Sequence, residues 1–440
     1  MLFPFPPAGP RRSPARPFRA AVLALALAFA ASPLAAATPD TPTHYTHRAA
    51  ARAAYERKDF PAALAATQAA LALRPDSPRY LHNLAALQTL TGARDAALAT
   101  LRRLAALGVY MPVERDPDFA ALQGTAPFAA VVSRLAGHRE PQGTPELFAE
   151  LPGRTGILEG LAFRPRTGDL FLSDVHHRCI WRRDADGRVT RFTAEDDELL
   201  GVLGLALDES RDALWAATAA LPEMAGYTAA LKGTAALAEF SLSKGELRRV
   251  VHVPADGRDH ALGDLVVAPD GTVYATDSKS PVVWLLAPGA EEMEKLTDNP
   301  AFGSLQGLVL RDRELIVADY GNGLFALELP SGRVRAFAPP ADTTLLGLDG
   351  LALVPDGLVA TQNGVDPTRV LHLVLAPDAA AITRVAVLAA GGPLLADVTT
   401  VTLVGDRPTF ISGAGWDGFD AAKSKQPAAH PVRLVQVALP

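Results

Sequence analysis

The sequence predicts a mainly β protein, a six-bladed β-propeller that follows an N-terminal α-helical domain. A strand–turn–strand segment at residues 158–174 returns five more times before the C-terminus. Its copies begin about 43 to 60 residues apart, which is the period of propeller blades of about four strands. Residues 43–137 differ, because their apolar residues recur with the helical period of about 3.6. We therefore assign 157–440 to the propeller and 43–137 to the helices.

Residues 1–37 have the composition of an export signal. Four arginines precede an apolar run, Ala20 to Ala30, and Ala35 to Ala37 form a cleavage site before Thr38. The run is shorter than the ~20 residues of a membrane-spanning helix, although an uncleaved anchor is the alternative. The prediction is a periplasmic or secreted protein without a transmembrane span once the signal is removed.

The helical segment 43–137 is similar to a short tetratricopeptide array. The sequence that begins at Pro61 returns at Asp95, an offset of 34 residues, which is the tetratricopeptide period. Two repeats bury little apolar surface by themselves, so a further helix or the propeller is expected to cap them. The helices either bind a protein or peptide partner in a groove or form a packing collar.

Residues 138–156 have the Pro and Gly content of a linker, with one short apolar stretch inside it. A propeller ring often closes by pairing strands from both ends of the chain. We expect Leu147–Leu151 to pair with Val432–Leu439 and complete the sixth blade, because closure removes two exposed sheet edges.

Composition excludes some classes of function. Apolar residues make up 49% of the chain, charged residues 20%, and the formal charge is −6. No basic stripe is present, so nucleic acid is not an expected partner. Cys179 is the only cysteine, so no internal disulfide can form.

The first strand of each blade lines the central channel, so the residues that open these strands converge. Glu159, Gln306 and Asp349 bring two carboxylates and an amide to this ring. Such oxygens suit Ca²⁺, which takes six to eight oxygen ligands, and another divalent cation is an alternative. Without a cation the two carboxylates would share a proton, or the ring would simply hold water. The other openings are Leu203, Gly263 and Thr399.

The ends of the second strands lie on the same face as these openings, because the two strands are antiparallel. Polar residues there are candidates to contact a substrate: Asp277, Asp319 and Asn363, together with Asp264 beside Gly263. His176 and His177 follow the second strand of blade one and are candidate catalytic bases or part of a solvated loop.

Residues 157–440 resemble the SMP-30/gluconolactonase/LRE-like group of six-bladed propellers. The resemblance rests on Glu159-Gly160, on Asp349-Gly350 and on the Gly-Asp-Leu and Gln-Gly-Leu openings between them. It implies one divalent cation, usually Ca²⁺, held by the Glu, by an Asn at the fourth blade and by the Asp. These positions are Glu159, Gln306 and Asp349 here, so Gln replaces the Asn. Gly263 stands where the group has a second Asn.

The resemblance implies metal-assisted hydrolysis of a lactone or related ester, with Asp349 as first candidate base and His176 or His177 as second. The departures at Gln306 and Gly263 leave catalysis an open question. One alternative is a non-catalytic scaffold, in which helices and propeller bind a peptide or another protein of the cell envelope. The other is a small-molecule-binding protein that uses the cation for affinity without turnover.

Overall fold

The computed structural model describes residues 43–195, 198–419 and 429–440 of the chain. The predicted export signal at 1–37 lies outside these ranges. Within them no helix is both long and apolar enough to cross a membrane.

The described chain begins with helices, as expected. Side-chain oxygens cap three helix starts: Thr43 accepts a hydrogen bond from Thr46 N, Asp59 from Ala62 N, and Ser77 from Tyr80 N. These caps satisfy backbone donors that have no partner within the helix. The α-helices are α1 (His44–Glu56), α2 (Phe60–Leu73), α3 (Pro78–Leu90), α4 (Arg94–Ala106) and α5 (Ala126–Gly137).

The helices share one apolar core, and each packs against the next in the chain. Fully buried side chains from α3 and α4 meet Phe119 from the segment before α5. One residue of the propeller, Val365, is partly buried and packs against this cluster. The helical domain is therefore continuous with the propeller rather than a separate body.

The strands of the described chain form six sheets, which confirms the six-bladed propeller. Each sheet runs outward from one inner strand in antiparallel order. Two strands precede the first blade: β1 (Gln142–Gly143) and β2 (Glu146–Arg154). Blade one is β3 (Leu158–Arg164), β4 (Asp169–Asp174), β5 (Cys179–Arg183) and β6 (Val189–Arg191). Blade two is β7 (Gly201–Asp208), β8 (Ala213–Ala219), β9 (Ala235–Ser241) and β10 (Leu247–His252).

The remaining blades repeat this arrangement. Blade three is β11 (Leu262–Val267), β12 (Val273–Asp277), β13 (Val282–Leu286) and β14 (Glu294–Asp298). Blade four is β15 (Leu305–Arg311), β16 (Glu314–Asp319), β17 (Gly323–Glu328) and β18 (Arg333–Ala336). Blade five is β19 (Leu348–Val354), β20 (Gly357–Gln362), β21 (Arg369–Leu375) and β22 (Ile382–Ala390). Blade six contains β23 (Val401–Val404), β24 (Arg407–Ser412) and β25 (His430–Gln436).

The two strands before blade one complete the last two blades. β2 pairs with β25 as the outer strand of blade six, with Leu147 opposite Val435 and Leu151 opposite Val432. β1 pairs with β22 and gives blade five a fifth strand. The ring thus closes because blade six contains strands from both ends of the propeller sequence.

Glycines near the start of the inner strands allow the strands to approach one another around the channel. A Cβ on Gly160 would lie 2.2 Å from the carbonyl oxygen of Leu203 in blade two. A Cβ on Gly350 would lie 2.6 Å from the Cα of Thr400, just before blade six. The contacts are with backbone atoms, so a side chain at either position requires a shift of a whole strand. The repeated glycine is explained by this close approach.

Candidate active site in the propeller channel

A cavity of about 500 Å³ opens where the inner strands begin. Its walls come from blades one, four, five and six and from the loops at the same end of these blades. Most of the lining side chains are polar, and among the described residues none is Lys, Arg or His. The lining residues are Glu159, Ser304, Gln306, Tyr320, Asp349, Asn363, Thr368, Asp397, Val398, Thr399, Trp416 and Asp417.

Glu159, Gln306 and Asp349, the three residues expected to hold a cation, come together in this cavity. They also line a second cavity, of about 40 Å³, whose walls include inner-strand glycines such as Gly263. The three side chains therefore lie at the junction of a wide chamber and a narrow one.

Local backbone geometry explains how these side chains reach the channel. Each is the second residue of its inner strand. Directly after each one the antiparallel register with the second strand shifts, as in a β-bulge, which re-aims side chains at the start of a strand. The shifts fall between Leu158 and Leu161, between Leu305 and Leu308, and between Leu348 and Leu351.

Each of the three side chains has one terminal atom held by the protein and one oxygen that is not. Trp416 Nε1 donates to Glu159 Oε2, and Asn363 Nδ2 donates to Asp349 Oδ2 at 2.6 Å. The amide nitrogen of Gln306 donates to Ser304 Oγ at 3.0 Å. Within the described chain, Glu159 Oε1, Asp349 Oδ1 and Gln306 Oε1 have no such partner. Three orientated oxygens without donors are what a cation ligand set requires.

The electrostatics of the site disfavour negative charge. Burial, and then repulsion from Asp349, raise the pKa of Glu159 well above its ordinary value, while the hydrogen bond from Trp416 opposes this. Burial raises the pKa of Asp349 to about 6, and the hydrogen bond from Asn363 opposes the rise. Without a cation, these carboxyl groups hold protons at pH values where isolated ones are ionised.

Asp264 is a third carboxyl group in the channel, and it lines only the narrow cavity. Its Oδ1 accepts a hydrogen bond from Leu265 N at 2.9 Å. Burial raises its pKa to about 7, with a further contribution from the charge of Asp349. The side chain does line the channel, where the missing side chain of Gly204 leaves room for it: a Cβ on Gly204 would lie 2.4 Å from Asp264 Oδ1. It does not line the wide cavity, where a substrate would bind.

Asn363 lies at the cavity wall and contacts the candidate cation site directly. Besides Asp349, its Nδ2 donates to the carbonyl of Val398 at 2.8 Å. Both partners accept, so the amide orientation is determined by the contacts. Its own Oδ1 is buried and has no hydrogen-bond partner. A buried orphan acceptor is costly, which indicates that the site is completed by a donor or a cation.

Asp277 and Asp319, two candidates for substrate binding, do not line either cavity. Both are fully buried. Asp319 accepts hydrogen bonds from the backbone N–H groups of Gly303, Ser304, Gly321 and Asn322. Asp277 similarly accepts from backbone donors and from the Trp284 indole, and it contacts the His260 ring. Each carboxylate connects the loops at this end of its blade, and all of its acceptor positions are used within the protein.

His176 and His177 also lie outside the lining of both cavities. The Nδ1 of His176 is 2.7 Å from the carbonyl oxygen of Glu223, and its ring stacks near Phe419. His177 Nδ1 is 2.8 Å from Asp174 Oδ2. The pair thus connects blade one to neighbouring loops. The structure does not bring either imidazole to Glu159 or Asp349, so Asp349 alone of the candidate bases faces the cavity.

Four lining residues were missed by sequence reasoning: Tyr320, Asp397, Trp416 and Asp417. Burial and the charge of Asp349 raise the pKa of Tyr320 to about 12, so its hydroxyl stays a donor. Tyr320 directly follows β16, the second strand of blade four, and the ends of second strands are expected at the channel face. Trp416 and Asp417 occupy the corresponding loop of blade six, after β24.

No group of three or more His, Cys, Asp or Glu side chains in the described ranges is arranged to hold a metal ion. The candidate cation site differs from such a group because one of its three members is the amide of Gln306.

No protein-family profile matches the chain, and no curated protein matches it. Solved structures with a similar fold include a gluconolactonase from Xanthomonas campestris, at 16% identity and a TM-score of 0.46, covering 68% of this chain and 96% of that one. Gluconolactonases are thus among the structures similar to this chain.

Other similar structures have other activities. A PQQ-bound aldose sugar dehydrogenase from Streptomyces coelicolor has 18% identity and a TM-score of 0.46, covering 68% of this chain and 99% of that one. A virginiamycin B lyase from Staphylococcus aureus has 13% identity and a TM-score of 0.45, covering 67% and 100%. Likeness at this level extends to the fold alone, so the function must be argued from the cavity.

Proposed function

We propose that this protein is a metal-dependent hydrolase of a lactone or related ester, with a cation, first of all Ca²⁺, bound by Glu159, Gln306 and Asp349. The observation that carries the proposal is a set of three oxygens, one on each of these side chains, that have no donor among the described residues and line a 500 Å³ cavity.

The donor set fits a hard cation. Carboxylate and amide oxygens are ligands that Ca²⁺ accepts, and waters or substrate oxygens complete its shell of six to eight. A divalent cation would also reverse the repulsion between Glu159 and Asp349 that raises the pKa of Glu159. Gln306 is longer than the Asn of the resembling group, but its amide is already held by Ser304, which orients Oε1.

The chemistry that a bound cation supplies is polarisation of an ester carbonyl and stabilisation of negative charge on its oxygen. Side chains of the protein would activate the water molecule and donate hydrogen bonds. Asp349 is a candidate base for a water molecule, because its carboxylate lies at the cavity wall. One carboxylate oxygen, Oδ2, stays on Asn363, which prevents the carboxylate from rotating away. The hydroxyl of Tyr320 is a donor at the same wall.

The cavity wall also restricts the substrate. Four carboxylates line it, and no basic side chain of the described residues does. An uncharged ring ester avoids repulsion on entry, and hydrolysis converts it into a carboxylate. That product is repelled by Asp397 and Asp417, which favours its release.

We further propose that the protein acts in the periplasm or outside the cell, which rests on the arginine-rich and apolar pattern of residues 1–37. A small-molecule ester is the proposed substrate, and the helical domain is the place for any protein partner.

Calcium titration by calorimetry is the first test. The mature wild-type protein should bind one Ca²⁺, and Glu159→Gln should abolish the heat signal because the ligand loses its charge. Glu150→Gln is the matched control, since Glu150 also accepts one hydrogen bond through Oε2, here from Arg433, but on the outer strand of blade six. It should bind like the wild type.

A panel of γ- and δ-lactones and aryl esters should then be assayed with and without Ca²⁺. Calcium-dependent turnover that is lost in Glu159→Gln and Asp349→Asn supports the proposal. Absence of binding up to the millimolar range of weak extracellular sites refutes it. Binding without turnover of any member of the panel would instead point to a binding protein.

A further inference from the structure

One loop of blade five links the cavity to the helical domain. It connects β20 to β21 and runs from residue 363 to residue 368. Its two ends lie at the cavity, because Asn363 and Thr368 both line it. Asn363 is also the residue that holds Asp349 Oδ2. Any shift of this loop therefore changes the candidate cation site.

The middle of the loop is held by the helices instead of by the propeller. Val365 packs against the apolar core of the helical domain. The next residue, Asp366, accepts a hydrogen bond through its carbonyl from Tyr110 N at 2.6 Å. The loop thus has an apolar and a polar attachment to the same domain.

Arg369, the first residue after the loop, makes the strongest attachment. It is 3% exposed. Its Nη1 donates to the carbonyls of Leu107 and Gly108, at the C-terminal end of α4, at 3.2 and 3.1 Å. Helix C-termini have carbonyls without partners and a partial negative charge, so an arginine is well placed there.

The other two nitrogens of the same guanidinium donate hydrogen bonds to a residue of the propeller. Nε and Nη2 of Arg369 both donate to Gln362 Oε1, at 2.9 and 2.6 Å. Gln362 Nε2 in turn donates to the carbonyls of Thr344 and Leu346. Burial lowers the pKa of Arg369 to about 10, because no carboxylate of the described chain pairs with it. A buried charge of this kind is retained only where its geometry is needed.

A second set of contacts attaches the helices to blade four. His44 Nε2 lies 2.7 Å from Asn322 Oδ1, in the loop that begins with the cavity residue Tyr320. A Cβ on Gly321 would lie 2.3 Å from the hydroxyl of Tyr45, so the helix start and this loop are in close contact. The helical domain thus contacts loops of two adjacent blades, both of which supply cavity residues.

We propose that the helical domain is a positioning element of the active site: through Val365, Asp366 and Arg369 it holds the 363–368 loop so that Asn363 stays bonded to Asp349. This inference rests on the proposed function, since it takes Asp349 as a cation ligand. The inference gives the helical domain a function of its own, which is to hold a loop of the propeller in place. A six-residue loop without these attachments would lose conformational entropy each time it was ordered for cation binding.

The test compares Ca²⁺ affinity in four proteins: wild type, Arg369→Gln, Asn363→Ala and the double variant. Arg369→Gln should weaken Ca²⁺ binding about tenfold, the size expected when a hydrogen bond to a charged group is lost. Because Arg369 acts through Asn363, it should have little further effect in the Asn363→Ala background. Equal effects in both backgrounds would overturn the proposal. Val365→Ala, which removes a contact with the helices only, should reproduce the loss if Arg369→Gln does not fold.

Arg335→Gln is the matched control. Arg335 also donates to two backbone carbonyls of blade five, those of Ala379 and Ala380, both at 3.0 Å. These lie in the turn between β21 and β22, at the opposite end of the blade from the cavity. Ca²⁺ affinity should be unchanged in this variant, and a loss equal to that of Arg369→Gln would contradict the proposal.

Hydrogen–deuterium exchange separates this inference from the proposed function. Exchange in the 363–369 segment should rise in Arg369→Gln and stay at the wild-type level in Arg335→Gln. If the wild type does not bind Ca²⁺, the proposed function is refuted, and exchange then decides the positioning role by itself. Unchanged exchange in Arg369→Gln would overturn the positioning role in either case.

Discussion

Replacing Asp264 with Asn should stabilise the metal-free protein at neutral and alkaline pH. Asp264 is surrounded by protein in the channel, and burial raises its pKa to about 7. The ionised form is therefore unfavourable in the folded state. Asn has the same shape, and its Oδ1 can keep the hydrogen bond from Leu265 N. The substitution removes the charge and also the hydrogen bond from the backbone N–H of Leu308, which the Asn amide nitrogen cannot accept, so the cost of the charge is the upper limit of the gain.

The sign and size follow from the two pKa values. Between the unfolded value, near 3.8, and the folded value, about 7, the folded state binds more protons, so stability falls as the pH rises through this window. The shift of about three units corresponds to a cost on the order of 4 kcal/mol, complete at pH 8 and absent below pH 4. Asn does not titrate and avoids this cost.

Differential scanning calorimetry in EDTA would measure the effect. At about 2.1 cal/mol/K per residue, a cost of ~4 kcal/mol corresponds to an increase in Tm of roughly 5 °C for Asp264→Asn at pH 8. The two proteins should converge as the pH falls toward 4. Saturating Ca²⁺ should reduce the difference, because a cation offsets the charge. A Tm difference that does not change with pH would refute the reasoning.

Three other predictions concern the fold. Gly350→Ala should lower the free energy of unfolding by at least ~2 kcal/mol, because a Cβ at this position would lie 2.6 Å from the backbone of Thr400. Gly137→Ala is the control, since the space around its Cβ is open, and its stability should not fall in this way. Equal Tm values for the two variants would contradict this prediction. Asp319→Asn should lower Tm by several degrees through lost backbone hydrogen bonds. If it raised only KM, Asp319 would be a substrate contact. Cys179, fully buried, should not react with a thiol reagent until the protein unfolds, and fast labelling of native protein would be the contrary result.

The fold class could be predicted from the sequence because its cause is local and repeated. Strand, turn and strand return with one period, and each copy has the alternation or turn residues that form a hairpin. The outer strand of blade six could be inferred as well. A ring needs every edge paired, and Leu147–Leu151 was the unassigned apolar stretch nearest to the first blade.

Part of the site was also accessible from sequence. The register of the inner strands places Glu159, Gln306 and Asp349 at the same level of the channel, and the structure brings them to one cavity. Periodicity determines such a position, because equivalent residues of equivalent blades face one axis. It does not determine which oxygens are left without a donor.

Sequence could not separate Asp277 and Asp319 from Asn363, since all three stand at or just beyond the end of a second strand. The difference arises from the loops above them, whose backbone N–H groups turn onto the two aspartates and leave Asn363 facing Asp349. Loop conformation depends on contacts between distant segments. The blade repeat in the sequence therefore does not predict the conformation of these loops.

The sequence by itself determined the blade repeat, the helical start and the level at which the channel carboxyl groups lie, because these follow from local periodicity. Only the tertiary structure decided that the helical domain contacts the cavity loops through Val365 and Arg369. It also decided that His176 and His177 lie outside the cavity. The physical reason is that these placements depend on contacts between different segments, up to 262 positions apart for Arg369 and Leu107, where packing and hydrogen bonding outweigh local propensity.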